Sequence, residues 1–303
     1  MPKILVIGSS NTDMVVRADR LPRPGETVLG GTFFMNPGGK GANQAVAAAR
    51  LGGQVAFVCK TGDDLFGSEA RRLFREEGID TSHLLTDPSA PSGVALITVD
   101  RQAENCIVVA PGANANLTPD DLRRAASAFE QADIVLLQLE IPMETVEQAA
   151  LTARATGKRV VLNPAPATAI PARLLAALDL ITPNETEAEA ITGIRIADRR
   201  TADEAARRLA ATGAKQVVIT LGAQGALVYE AGQSRIVEGY PVRAVDTTAA
   251  GDVFNGALVV ALAEGKPLEE AARFACKAAA ISVTRPGAQG SIPTRAEVEA
   301  IDR

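Results

Sequence analysis

A chain of 303 residues, 47% hydrophobic and 22% charged, has the make-up of a globular protein with a large buried core. Its formal charge of −5 comes from 36 acids against 31 bases with no basic cluster, which argues against nucleic acid and anionic membrane as partners. Cys59, Cys106 and Cys276 stand far apart in apolar or alanine-rich surroundings, so we expect reduced, buried thiols and a cytoplasmic protein. The apolar start, Met1 to Gly8, is too short for a signal peptide. No run approaches the roughly 18 to 20 apolar residues that span a bilayer. Length permits two domains, but no Pro/Ser-rich or charged linker divides the chain. The expectation is one α/β domain over residues 1–303 with a small β appendage.

Ile4-Leu5-Val6-Ile7 is a continuous apolar run ending at Gly8, as expected of a strand buried on both faces. Gly8-Ser9-Ser10-Asn11 lacks the further glycines of a dinucleotide fingerprint. Asn11-Thr12-Asp13 follows, polar groups at the strand end where α/β sheets bind ligands. Met14-Val15-Val16 and Thr27-Val28-Leu29 are β-prone pieces around the turn Leu21-Pro22-Arg23-Pro24-Gly25. Residues 93–100 and 105–109 read as a hairpin. Segments 13–35 and 93–109 together predict a small sheet over the ligand edge. A helix starts at Gly41, a strand runs 53–58, and a helix covers 68–77. Thr118-Pro119 opens a helix, and Ile134 to Leu139 is a buried strand delivering Glu140. Strands at 160–162, 180–182 and 216–220 alternate with helices, one starting at a Thr201–Glu204 capping box. Such alternation predicts an α/β fold: a central, mostly parallel sheet covered by helices on both faces.

Near the C-terminus, Asp246 to Gly256 is a loop entering a helix, with Asp252 in its first turn. The N–H groups of Ala250, Gly251 and Asp252 point out of such a helix start toward any anion there, and small residues at 249 to 251 let a phosphate approach. A carboxylate beside that anion site suits a base taking a proton from an attacking hydroxyl; the plainer alternative is a helix-dipole charge. If the strands end on one edge, Asn11, Asp13, Gly38 to Asn43, Glu140 and Asp252 converge. A polyhydroxyl ligand needs such a set: Asp13 and Glu140 accept, Lys40 donates, and Asn11 and Asn43 do both. Gly39 and Gly41 allow close backbone approach, yet no Walker A pattern exists here. The acids after Asn184 fit a solvated first helix turn equally well. His83, the one histidine, lies in a polar surface stretch.

Three motifs occur in this order: Gly38-Gly39-Lys40-Gly41-Ala42-Asn43-Gln44-Ala45, Asn184-x-x-Glu187, and Asp246-Thr-x-Ala-Ala-Gly-Asp252-x-Phe-x-Gly-Ala257. From Lys3 to Pro293 the chain resembles the PfkB carbohydrate kinase family, on the branch that acts on ribose. The resemblance implies ATP-dependent phosphorylation of D-ribose at its 5-hydroxyl. It makes Asp252 the base, with an anion hole at Ala249, Ala250, Gly251 and Asp252. Asn11, Asp13, Gly39, Lys40, Asn43 and Glu140 would hold the sugar. Asn184 and Glu187 would lie on the Mg²⁺–ATP side, Glu187 through water. Thr220, Gly222, Gly225, Gly251 and Cys276 would approach the nucleotide. Asp246, Thr248, Ser282, Arg285, Gly287 and Ser291 match positions that hold K⁺ or a similar monovalent cation, chiefly through carbonyls. The small sheet would be a lid, and lids of this family pair into a homodimer.

Two departures fall on the nucleotide side: Cys276 where the family often has histidine, and Ala223 where serine is common. Sibling kinases for 2-deoxyribose, fructose, adenosine or pseudouridine share the phosphoryl-transfer residues and differ in the sugar pocket. A nucleoside kinase would want an aromatic lid, and Phe33 and Phe34 are the only lid aromatics. A silent sugar-binding module would have lost Asp252 or the glycines, and both are kept.

Overall fold

Ile4 and Val6 point to one face of a sheet and Leu5 and Ile7 to the other, and both faces are covered. The computed structural model describes residues 1–102 and 104–301; Ala103, inside the expected segment 93–109, and residues 302–303 lie outside the described residues. Strand β1 (Lys3–Ile7) runs parallel to β4 (Gln54–Gly62) on one side and β8 (Ile134–Leu137) on the other. Beyond β8 the sheet continues in parallel through β9 (Arg159–Leu162), β10 (Leu180–Ile181) and β11 (Gln216–Thr220). The antiparallel strands β12 (Gly225–Glu230) and β13 (Gln233–Glu238) end that side, and β5 (Leu84–Asp87) ends the other. Nine strands result, in the order β13-β12-β11-β10-β9-β8-β1-β4-β5. The chain leaves β1 toward β4 and later returns to β8, so a crevice opens at the C-terminal ends of these strands.

The helix Ala250–Ala263 is buried from Asp252 to Leu262, packed between the helices Lys40–Arg50 and Leu268–Ser282. Its closeness to Lys40–Arg50 rests on small residues. A Cβ at Gly256 would stand 2.5 Å from the Ala47 Cβ and 2.9 Å from the Ala48 nitrogen. That contact sets the distance between the helix carrying Asn43 and Gln44 and the helix carrying Asp252.

A second, four-stranded sheet has the order β3-β2-β6-β7, from β2 (Asn11–Arg17), β3 (Thr32–Gly38), β6 (Gly93–Val99) and β7 (Asn105–Ala110). Its register places Met35, Met14, Leu96 and Val108 in one cross-strand row, with Phe33 and Cys106 in the next. This outer face is largely exposed: Phe33 57%, Met35 53%, Leu96 53% and Val108 67%. The inner face carries Asp13, Val15, Arg17, Phe34, Asn36 and Ile97 toward a cleft of about 880 Å³.

Three expectations need correction. The strand paired with β2 is 32–38, not 27–29. Gly30 and Gly31 turn the chain at φ +104° and +103°, and Leu29 before them is 92% exposed. Pro37 fits because β3 is an edge strand. The capping box belongs to Asp198 and Thr201, so Thr201 is the third helical residue rather than the cap, and the helix runs Arg199–Ala211. Cys106 is exposed on β7, an exposed edge strand, while Cys59 and Cys276 are buried.

Candidate active site

Asp252 is 6% exposed, in the first turn of its helix. Its Oδ1 accepts from Gln44 Nε2 at 2.9 Å and its Oδ2 from Asn43 Nδ2 at 2.9 Å. Burial pushes its pKa up, against the pull of Lys40 and of these two amides. The preceding Ala249 holds a left-handed backbone at φ 61°, rare for a residue with a side chain, which turns the chain into the helix. The Ala250 N–H donates to the Thr247 carbonyl at 3.2 Å, so it closes a turn rather than facing an anion as expected. Among the described residues no acceptor takes the N–H of Ala249, Gly251 or Asp252, and these stay open at the helix start.

Around Asp252 the expected polar residues do meet. Glu140 Oε2 accepts from Ser9 Oγ at 2.5 Å and from the Lys40 backbone N–H at 2.9 Å, tying the end of β8 to the start of the Lys40–Arg50 helix. Asn11 Oδ1 accepts from Asn114 Nδ2 at 2.8 Å. Burial, then Glu140 and Asp252, lift the Asp13 carboxyl to about 6, against the opposing Lys40. Burial alone would lower the Lys40 ammonium, but Asp252, Glu140, Glu187 and Asp13 outweigh it and raise its pKa. The glycines of the motif make this meeting possible. Gly39 sits at φ +90°, and a Cβ on Gly41 would stand 2.5 Å from the Ser9 nitrogen.

Beyond β10, Asn184 and Glu187 cap their own helix. Asn184 Oδ1 accepts from the Glu187 N–H at 2.8 Å, and Glu187 Oε2 from the Asn184 N–H at 2.9 Å. The acids here are thus not all a solvated turn, because Glu187 is buried, which raises its pKa. Thr220 pairs with Asn184 across the strand ends. The loop after it turns at Gly222 and Gly225, at φ +54° and +95°. Cys276, on the Leu268–Ser282 helix, has its thiol pushed up to about 12 by burial.

The Asp246 to Thr248 loop and the segment after Ser282 are tied together. Asp246 Oδ1 accepts from the Thr248 N–H at 2.9 Å and its hydroxyl at 2.6 Å, and Oδ2 accepts from the Gly287 N–H at 2.9 Å. Burial would raise Asp246, but these bonds win and lower it. Ser282 and Ser291 are buried and donate to the carbonyls of Ala279 and Ala288. The Arg285 side chain is held by Glu297 at 2.5 Å.

Sequence reasoning missed Ser9, Asn114, Asn163, whose Oδ1 accepts from Gln44 Nε2 at 2.9 Å, and Gln289, whose Nε2 donates to Asn43 Oδ1 at 3.2 Å, and it quoted Gln44 without a role. Of these only Gln44 lies in a recognisable motif. The others act across long sequence separations and leave no local pattern.

Residues 1–295 match the family described as pfkB family carbohydrate kinase. The chain is 49% identical over 294 residues to the ribokinase of Haemophilus influenzae, spanning 97% of this chain and 96% of that one. It is similar, at 38% over 292 residues, to the deoxyribokinase of Salmonella typhimurium, spanning 96% and 95%. A solved structure of Arabidopsis thaliana ribokinase complexed with ribose and ATP superposes with a TM-score of 0.92 at 34% identity, covering 99% of this chain and 98% of that one.

Proposed function

The chain belongs to the pfkB family of carbohydrate kinases, and from that premise we propose that it transfers the γ-phosphoryl group of ATP to the 5-hydroxyl of D-ribose, giving D-ribose 5-phosphate and ADP. The observation that carries this reading is the buried Asp252 carboxylate, held by two amides beside the open N–H groups of a helix start. Asp252 takes the proton of the ribose hydroxyl as its oxygen attacks the γ-phosphorus. A new O–P bond forms, the bond to the β-phosphate bridging oxygen breaks, and ADP leaves. The N–H groups at 249, 251 and 252 face the charge on the transferring group. Asp13 and Glu140 accept from ribose hydroxyls, Lys40 donates, and Asn11, Asn43 and the Gly39 backbone complete the sugar site.

Asn184, Thr220, Gly222, Gly225 and Cys276 form the nucleotide side. Among the described residues no group of three or more His, Cys, Asp or Glu could hold a metal ion. Such a sparse set of carboxylates would suit Mg²⁺ carried by ATP, with Glu187 the residue that would help hold it through water, since its cap uses only Oε2. Bound so, Mg²⁺ supplies charge neutralisation on the phosphates. A K⁺-type ion between 246–248 and 282–291 fits carbonyl donors, because the Asp246 carboxylate and the Arg285 side chain are already engaged. We place the small sheet as a lid over one domain spanning the chain, and its apolar outer face as a homodimer contact. No helix among the described residues is long and apolar enough to cross a membrane, and we place the enzyme in the cytoplasm.

A second reading, 2-deoxyribose as substrate, rests only on the lower likeness to a deoxyribokinase, 38% against 49% for the ribokinase, and would change only the sugar pocket. ADP release with Mg²⁺–ATP over ribose, 2-deoxyribose, fructose, adenosine and pseudouridine, with and without K⁺, decides. Ribose far ahead with K⁺ stimulation supports the account. Preference for another sugar moves the error to Asn11, Asp13, Asn43 and Glu140. No turnover by folded protein overturns the kinase reading in favour of a silent binder.

A further inference from the structure

Gln44 is fully buried, and each polar group of its side-chain amide is in use. Nε2 donates to Asp252 Oδ1 at 2.9 Å and to Asn163 Oδ1 at 2.9 Å, and Oε1 accepts from Gln138 Nε2 at 2.6 Å. The direction of this chain is fixed from outside. Asn163 Nδ2 donates to the Thr182 backbone carbonyl at 3.0 Å, which can only accept. Asn163 must therefore show its oxygen to Gln44, and Gln44 must show its nitrogen to Asp252. The cost surfaces at the far end, where Gln138 Oε1 is buried with no partner among the described residues. A network that leaves an acceptor orphaned so as to aim a donor at a carboxylate has a preferred sense. Thr182 anchors a second branch as well: its hydroxyl donates to Asn255 Oδ1 at 2.6 Å, and Asn255 Nδ2 donates to the Gly251 carbonyl at 2.8 Å. One residue at the end of β10 thus steadies both the carboxylate and the helix start beside it.

We propose that Gln44 is the positioning residue of the base: locked by Asn163 and Gln138, it fixes the Asp252 carboxylate in one orientation and holds it as the anion, an inference that rests on reading Asp252 as the proton acceptor. Gln44 is fully buried with its side-chain amide engaged by Asp252, Asn163 and Gln138, and it acts through Asp252. The charged groups facing Asp252 are Lys40, which favours its anion, and Glu140, Asp13 and Glu187, which oppose it. Burial raises the Asp252 pKa and the three carboxylates add to it, and Lys40 with one neutral donor on each oxygen favours the anion against them. Losing one donor raises the Asp252 pKa, so the acid limb of the pH–rate profile moves to higher pH.

The experiment is steady-state ribose phosphorylation by Gln44→Met from pH 5.5 to 9, with ribose binding by calorimetry. We expect kcat to fall roughly tenfold to hundredfold at pH 7 and the acid limb to rise by about one pH unit or more. Ribose affinity should change less than about threefold, and turnover should partly recover at high pH. If circular dichroism shows Gln44→Met unfolded, Asn163→Leu takes its place. It frees the Gln44 amide to turn, and the limb must move there too. A folded variant with an unmoved acid limb, or one whose loss lies wholly in ribose KM, overturns the proposal. Asp252→Asn, run in parallel, separates the two claims. If it keeps turnover the base reading fails, and if it is inactive while Gln44→Met keeps the wild-type profile, only the positioning role fails.

Discussion

Replacing Asp13 with asparagine should make the protein more stable and poorer at holding sugar. Its carboxyl is lifted from the usual 3.8 to about 6 by burial and by the neighbouring Glu140 and Asp252. A group whose folded pKa is raised this way carries no penalty when both states are protonated. The penalty grows as pH rises from the unfolded value toward the folded one, and is full above it. At about 1.36 kcal/mol per pH unit, the ionised carboxylate costs the folded chain on the order of 3 kcal/mol at pH 7.5 and about 1 kcal/mol at pH 4.5. Asparagine keeps the shape and drops the charge. Urea unfolding of both proteins at the two pH values should show the variant ahead by a margin that shrinks on acidification. Ribose binding should weaken by about tenfold or more, because a charge-assisted acceptor is lost. In the wild type, ribose KM should rise as pH falls below about 6. A variant that is less stable at pH 7.5, or a margin independent of pH, would refute the reasoning.

Gly256→Ala sets helix propensity against packing. Alanine is better by about 1 kcal/mol in an open helix, but its Cβ would sit 2.5 Å from Ala47, and overpacking of about 1 to 3 kcal/mol should win. A fall in Tm with a lower kcat is expected, and a rise in Tm contradicts the close-packing account. On the proposed homodimer contact, Leu96→Asp with Val108→Asp on the outer face of the small sheet should lower the sedimentation coefficient from a dimer's to a monomer's; an unchanged coefficient discards that face as the contact. Asp246→Ala unties 246–248 from Gly287 and should weaken K⁺ stimulation while leaving ribose binding within about threefold. Unaltered K⁺ response would place the ion elsewhere.

What could be read from sequence was local. The run Ile4 to Ile7 announced a strand covered on both faces, and the two sheet faces do claim its residues alternately. Asn11, Asp13, Glu140 and Asp252 stood after strands or at a helix start, and the parallel order of the sheet gathers them on one edge. The misses were matters of partnership. Thr27 to Leu29 has β-prone residues, yet the glycine pair after it turns the chain, and only pairing with β2 shows where β3 begins. Asn184 and Glu187 satisfy the capping-box pattern, so their mutual capping was legible, although the sequence reading weighed only a solvated turn against the Mg²⁺–ATP side. Gln44 meets Asp252 across 208 positions, a separation no window or period records. Cys106 sits in an apolar run whose burial depends on whether another chain covers β7.

Turnover set against binding in Asp252→Asn tests the proposed chemistry most directly. Asparagine keeps the shape but cannot take the proton, and with Gln44 locked its NH2 must face Asn43, whose amide has to turn to accept it. The account predicts that ribose phosphorylation, followed as ADP release, falls by roughly a hundredfold or more while calorimetric ribose affinity stays within about tenfold of wild type. Near-normal turnover in a folded variant would contradict it, and Asp252 would then be no more than a buried charge at a helix start.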